Sequence, residues 1–87
     1  MPNPNQIDLT VVVNGQPVSL KANTHEELRA LIENAFNKSG NAGQPLANWE
    51  LRDGAGQILD PTHKVGDYSI ASGSTLFLNL KAGVGGG

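Results

Sequence analysis

Residues Val65 to Gly87 read VGDYSIASGSTLFLNLKAGVGGG, a turn-rich segment that runs into an alternating strand and then into glycines. Its middle alternates, with Leu76, Leu78 and Leu80 on one side of an extended chain and Phe77, Asn79 and Lys81 on the other. Period-two alternation marks a half-buried strand, so the three leucines are expected to fasten a last strand into a core that the rest of the chain supplies. Beyond Lys81 the sequence is Ala82-Gly83-Val84-Gly85-Gly86-Gly87, a tail expected to be free of the fold.

Upstream of this stretch, Trp49 and Leu51 alternate with Glu50 and Arg52 as a short strand, and Asp53-Gly54-Ala55-Gly56 turns the chain into a second short strand at Ile58 and Leu59. Trp49 is expected to pack at the edge of the core rather than to stack a ligand. Residues 41–48 form a loop broken by Gly43 and Pro45. Before them, Thr24-His25-Glu26-Glu27 has the spacing of a capping box, with Thr24 as the helix cap and Glu27 reaching back to it. Leu28, Leu31, Ile32, Ala35 and Phe36 then make one apolar helical stripe, which Gly40 ends in a left-handed conformation. The chain starts with a polar arm, residues 1–5, MPNPN. From Gln6, Ile7, Leu9, Val11 and Val13 alternate with Asp8, Thr10 and Val12. Asn14-Gly15 closes a tight hairpin onto a return strand with Val18, Leu20 and Ala22 inward and Pro17 at its start.

The element order is strand, strand, helix, strand, short strand, strand. It predicts an α+β fold of β-grasp type, a mixed sheet in which the hairpin strands flank the last strand and one helix packs across. The expected organisation is an arm over 1–5, one domain over 6–81 and a tail over 82–87.

Composition narrows the function. A chain of 87 residues, 38% of them hydrophobic, supports one modest core rather than a deep catalytic cleft, so an enzyme is not expected. A net charge of -2, with six scattered basic residues, offers nucleic acid no basic stripe. No apolar run has the length of a membrane span and no leader pattern opens the sequence, so the expectation is a soluble, cytoplasmic protein. There is no cysteine, and His25 and His63 have no partner at a metal-ligand spacing, so neither a thiol nucleophile nor a metal site is expected.

The runs Val65-Gly66-Asp67-Tyr68-Ser69-Ile70 and Ser74-Thr75-Leu76-Phe77-Leu78-Asn79-Leu80 resemble the closing segment of ubiquitin, where Asp-Tyr-x-Ile leads to Ser-Thr-Leu-x-Leu-x-Leu without a gap. The earlier elements agree in order and kind. With its polar arm and few lysines, the chain is similar to the ubiquitin-like modifiers that bacteria encode beside activating, conjugating and deconjugating enzymes. Asp67 and Tyr68 have a structural reading of their own, a compact turn packed on the sheet with the tyrosine hydroxyl bonded to nearby backbone.

What the resemblance implies is conjugation through a C-terminal carboxylate. Six extended residues reach about 20 Å, and glycine lets a carbonyl be approached from either side. A carboxylate with a pKa of about 3.5 is ionised and must be activated, so the resemblance implies adenylation by ATP on a partner enzyme, a thioester, and attack by an amine. No cofactor of the chain's own is expected. The ungapped alignment puts the second ubiquitin glycine on Gly85, so the reactive end is Gly87, Gly86 or Gly85. Lys81 stands where activating enzymes read an arginine, keeping the charge without the guanidinium fork. The face that ubiquitin receptors contact corresponds to Phe77, Asn79 and Arg52, of which only Phe77 is apolar. Two other functions share the outline: a sulfur carrier with a terminal thiocarboxylate, and a non-covalent domain that self-assembles through the sheet face or an exposed edge strand, giving a homo-oligomer.

Overall fold

β1 (Gln6–Val13) and β2 (Gln16–Asn23) form an antiparallel hairpin, followed by α1 (Leu28–Lys38), β3 (Trp49–Arg52), β4 (Ile58–Leu59) and β5 (Thr75–Leu80). These elements come from a computed structural model that describes residues 5–83. Met1 to Pro4 of the expected arm over 1–5, and Val84 to Gly87 of the expected tail over 82–87, lie outside the described residues.

The hairpin turns where the dipeptide predicts. Asn14 has φ 49° and Gly15 φ 90°, so both central residues are left-handed, as a two-residue turn matched to strand twist requires. Leu9, Val11 and Val13 of β1 and Leu20 and Ala22 of β2 are buried, on the side where the helix packs. Helix α1 buries Leu28, Leu31, Ile32, Ala35 and Phe36, the stripe read from the sequence. Its end is also as predicted: Gly40 has φ 79°, and the Asn41 N–H donates to the Phe36 carbonyl at 2.7 Å, which closes the final turn.

The helix start differs from the expectation. Thr24 is not the cap; Glu27 is, and it has no side-chain capping bond. The pattern acts one residue earlier, on a turn rather than on the helix. The Asn23 N–H donates to Glu26 Oε1 at 2.7 Å and the His25 N–H to Asn23 Oδ1 at 2.8 Å. The helix's own first amides are satisfied from a distant loop: Leu28 N–H donates to the His63 carbonyl and Arg29 N–H to the Pro61 carbonyl, both at 2.9 Å. Tertiary contact thus replaces the local cap.

The strand order is β2-β1-β5-β3-β4. β5 runs parallel to β1 and antiparallel to β3, so it is the middle strand. The hairpin therefore does not flank β5 with both strands, as expected; only β1 touches it, and β2 forms the edge. Leu76 and Leu78 are buried, at 1% and 0% exposure, but Leu80 is 37% exposed. Leu80 has the inward parity and lies opposite Trp49, but past Leu78, where the pairing of β5 with β1 stops. Trp49 is a core residue, 5% exposed, with its ring edge-on to Phe36 at 5.0 Å.

Val65–Tyr68 forms a 3-10 turn whose start is held by Asp67: its carboxylate accepts the Lys64 N–H at 3.0 Å. The Tyr68 hydroxyl accepts the Asp60 N–H at 2.8 Å, the backbone bond expected of it, and the ring stacks on His63 at 5.5 Å. One helix on a five-stranded mixed sheet, with this strand order, is the ubiquitin-like β-grasp fold.

Candidate functional site

The face of the sheet away from α1 carries the outward residues. Register places Pro17 opposite Val12, Val12 beside Phe77, Phe77 opposite Arg52, and Arg52 opposite Ile58, a single row across all five strands. Ile58 is 57% exposed and Phe77 36%, Pro17 is exposed, and Val12 and Arg52 are half-buried. Phe77 and Arg52, singled out from the sequence, are thus brought together, and Asn79 lies in the neighbouring row opposite Glu50.

Phe77 is not the lone apolar group of this face. Val12, Pro17 and Ile58 share its row, and sequence reasoning left them out because cross-strand register is set by non-local pairing. A signal was present at Val12, a β-branched residue at an outward position of β1. The Arg52 guanidinium breaks the row: its Nε donates to the Glu50 carboxylate and its Nη1 to the Gly56 carbonyl at 2.8 Å. Its charge is balanced and its plane held, so the row is apolar from Pro17 through Val12 to Phe77, polar and compensated at Arg52, and apolar again at Ile58.

The exit from the sheet lies at the end of β5. The Lys81 N–H donates to the Asn48 carbonyl at 2.9 Å, extending the ladder with β3 by one pair. The Lys81 side chain is exposed and makes no ion pair among the described residues. Ala82 and Gly83 continue into solvent in a turn, with Gly83 at φ 83°. Gly85, Gly86 and Gly87, the candidate reactive ends, lie outside the described residues. Beside Lys81 a cleft of about 650 Å³ runs between α1 and the loop after β4, floored by Ile32, Trp49 and Leu59.

Of the other lysines, Lys21 pairs with Asp8 at 3.0 Å and Lys38 donates to the Ser19 carbonyl at 3.0 Å, while Lys64 is exposed. Asp60 is held below the usual aspartate range, first by the Thr62 N–H and then by the Thr62 hydroxyl, which both donate to it, with His63 adding to the effect. No group of three or more His, Cys, Asp or Glu side chains among the described residues could hold a metal ion. No helix among them is long and apolar enough to cross a membrane.

Residues 2–86 match the model of a family described as "Protein of Unknown function (DUF2604)". An "Uncharacterized protein y4jI" of Sinorhizobium fredii is 46% identical over 83 residues, which is 95% of this chain and 64% of that protein, so the chain spans less than two thirds of this relative. Among solved structures, a designed protein based on ubiquitin is similar at TM-score 0.79 and 19% identity, covering 98% of this chain and all of its own. The ubiquitin of Caldiarchaeum subterraneum is similar at TM-score 0.72 and 19% identity, over 93% of this chain and 99% of that one. At such identity the likeness speaks for the fold.

Proposed function

Starting from a chain that belongs to the DUF2604 family and folds as a ubiquitin-like β-grasp, we propose that it is a protein modifier, joined through its C-terminal carboxylate to amines of target proteins. One observation carries the reading. The ubiquitin-like closing segment leads from the middle strand of the sheet, paired with β1 up to Leu78 and with β3 through Leu80 and on to the Lys81 N–H, to a glycine-rich stretch, so the tail leaves the domain from a point held by β3. A strand held on one side along its whole length would fray more readily; β5 is anchored by β1 as well, up to two residues before its end.

The chemistry needs little from the modifier. Its terminal carboxylate attacks the α-phosphorus of ATP on an activating enzyme, releasing pyrophosphate and forming an acyl adenylate. An enzyme cysteine displaces AMP to give a thioester, and a target amine displaces the thiol to leave an amide. In this reading the chain is not an enzyme and holds no cofactor; Lys81 supplies a cation at the exit for the activating enzyme to contact. Conjugating and deconjugating enzymes complete the set, in a bacterial cytoplasm where ATP and reduced thiols are present.

The test is to delete Gly85 to Gly87. These three residues contribute about 10 Å of reach. The truncated protein should melt as the parent does, while ATP-pyrophosphate exchange and covalent ladders with the cognate enzymes of the same host disappear. Ladders from the truncated chain, or no exchange with the intact one, would overturn the reading. A terminal oxygen-to-sulfur exchange in the intact mass would point instead to the sulfur carrier.

A further inference from the structure

The two edges of the sheet are unequal. β4 has 2 residues and offers little backbone, but β2 has 8 and is the edge on which another chain could pair. Which groups of β2 face outward is fixed by the bonds around it. Thr24 N–H donates to the Asn5 carbonyl, one pair beyond the ladder with β1, so the even-numbered residues of β2 turn their backbone groups to β1. β1 agrees from its other side, where the Thr10 and Asn14 amides donate to the carbonyls of Ser74 and Leu78. Pro17, Ser19, Lys21 and Asn23 are therefore the residues that face the free edge.

Half of what these residues would offer is withdrawn. Pro17 has no N–H. The Ser19 carbonyl carries the Lys38 ammonium at 3.0 Å, delivered from the last turn of α1. The Asn23 N–H donates to the Glu26 carboxylate at 2.7 Å, and the Asn23 carbonyl accepts the Glu26 N–H at 3.0 Å. What remains, among the described residues, is the Pro17 carbonyl, the Ser19 N–H and both groups of Lys21.

We infer that β2 is a guarded edge, closed by Pro17, Lys38 and Glu26 against pairing with a second copy of this chain. Two such edges related by a twofold axis must pair antiparallel. With Leu20 on the axis, Ser19 faces Lys21, and only the bond from the Ser19 N–H to the Lys21 carbonyl forms freely, once in each direction. The reverse bond needs the carbonyl that Lys38 occupies, and the flanking Asn23 and Pro17 groups are used or missing. Moving the axis to Ser19 or to Lys21 again leaves one free bond and its symmetry mate. A two-bond strip cannot offset the entropy of association. The guards act in the folded domain whether or not it is conjugated, so this inference stands apart from the modifier reading.

The experiment compares the parent, Lys38→Met, and a variant with Pro17→Val, Glu26→Ala and Lys38→Met together. Sedimentation reads self-association, and amide hydrogen exchange reads the edge itself. The parent should sediment as a monomer with the Ser19 and Lys21 amides unprotected. With Leu20 on the axis, Lys38→Met frees the Ser19 carbonyl for the Lys21 N–H and Glu26→Ala frees the Asn23 N–H for the residue 17 carbonyl, each twice over, so association should tighten about tenfold for each of these two. The amide gained by Pro17→Val meets an Asn23 carbonyl still held by the backbone N–H of residue 26 and adds little in this register, and the Ser19 and Lys21 amides should gain protection as concentration rises. If the triple variant does not fold, Lys38→Met decides alone, since it alters an exposed side chain. A parent dimer that protects Ser19 and Lys21, or folded variants that stay monomeric with both amides unprotected, would overturn the inference.

Discussion

Truncating Leu78 to alanine should remove a large part of the stability of this domain, whereas the same change two residues along the same strand should not. Leu78 is wholly buried, on the middle strand, with Val13 beside it on β1 and Leu51 beside it on β3. Neighbours held in two flanking strands cannot collapse into the space, so both the lost transfer energy and the cavity count, about 3–5 kcal/mol. A chain of this length is stable by about 4–13 kcal/mol, so the variant is left marginal. Leu80 shares the side and strand of Leu78 but is 37% exposed, with solvent to fill the gap, and its truncation should cost about 1 kcal/mol. With a urea slope of about 1 kcal/mol/M for so small a domain, the midpoint falls by about 3–5 M for Leu78→Ala and about 1 M for Leu80→Ala. Circular dichroism against urea measures both. Equal shifts, or a Leu78→Ala midpoint near that of the parent, would refute the assignment of the core boundary on β5.

Two further perturbations test the loop that closes over the helix. A Cβ on Gly66 would stand 3.0 Å from the Thr24 carbonyl oxygen, which already accepts the Gly66 N–H at 2.8 Å, so Gly66→Ala should lower stability by about 1–3 kcal/mol in a thermal melt. Gly54→Ala, where a Cβ meets nothing within 4 Å, serves as its control and should be close to neutral. Asp60 should titrate below an ordinary aspartate when its carboxyl carbon is followed by NMR, and Thr62→Val should raise the value by removing one donor. Because the folded value is the lower one, the contribution of Asp60 to stability is present above the unfolded value and fades as pH falls through the folded one. An Asp60 titration indifferent to Thr62→Val would rule out the hydroxyl as a cause.

Elements whose cause is local were legible in the sequence. Asn14-Gly15 and Gly40 carry their own backbone preference, and each appears with the positive φ that its position demands. The helix stripe from Leu28 to Phe36 is likewise a property of one segment. Three features depend on partners elsewhere and were not legible. The start of α1 moved from Thr24 to Glu27 because its first amides bond to the loop at Pro61 and His63. Leu80 was read as buried because alternation tells which side a residue faces but not how far the core extends beneath it. Of the outward row, Phe77 and Arg52 were named, whereas Val12, Pro17 and Ile58 joined them only when register aligned the strands.

The bonding of the helix start to Pro61 and His63 bears on how the chain is made. During synthesis, residues 28 and 29 leave the ribosome more than thirty residues ahead of the carbonyls that will hold their amides. The nascent α1 therefore waits with its first turn open to water, and gains its final length only when the segment through His63 has emerged and docked. The last piece to arrive is β5, which slots between β1 and β3 and joins two halves of the sheet that have no other strand in common.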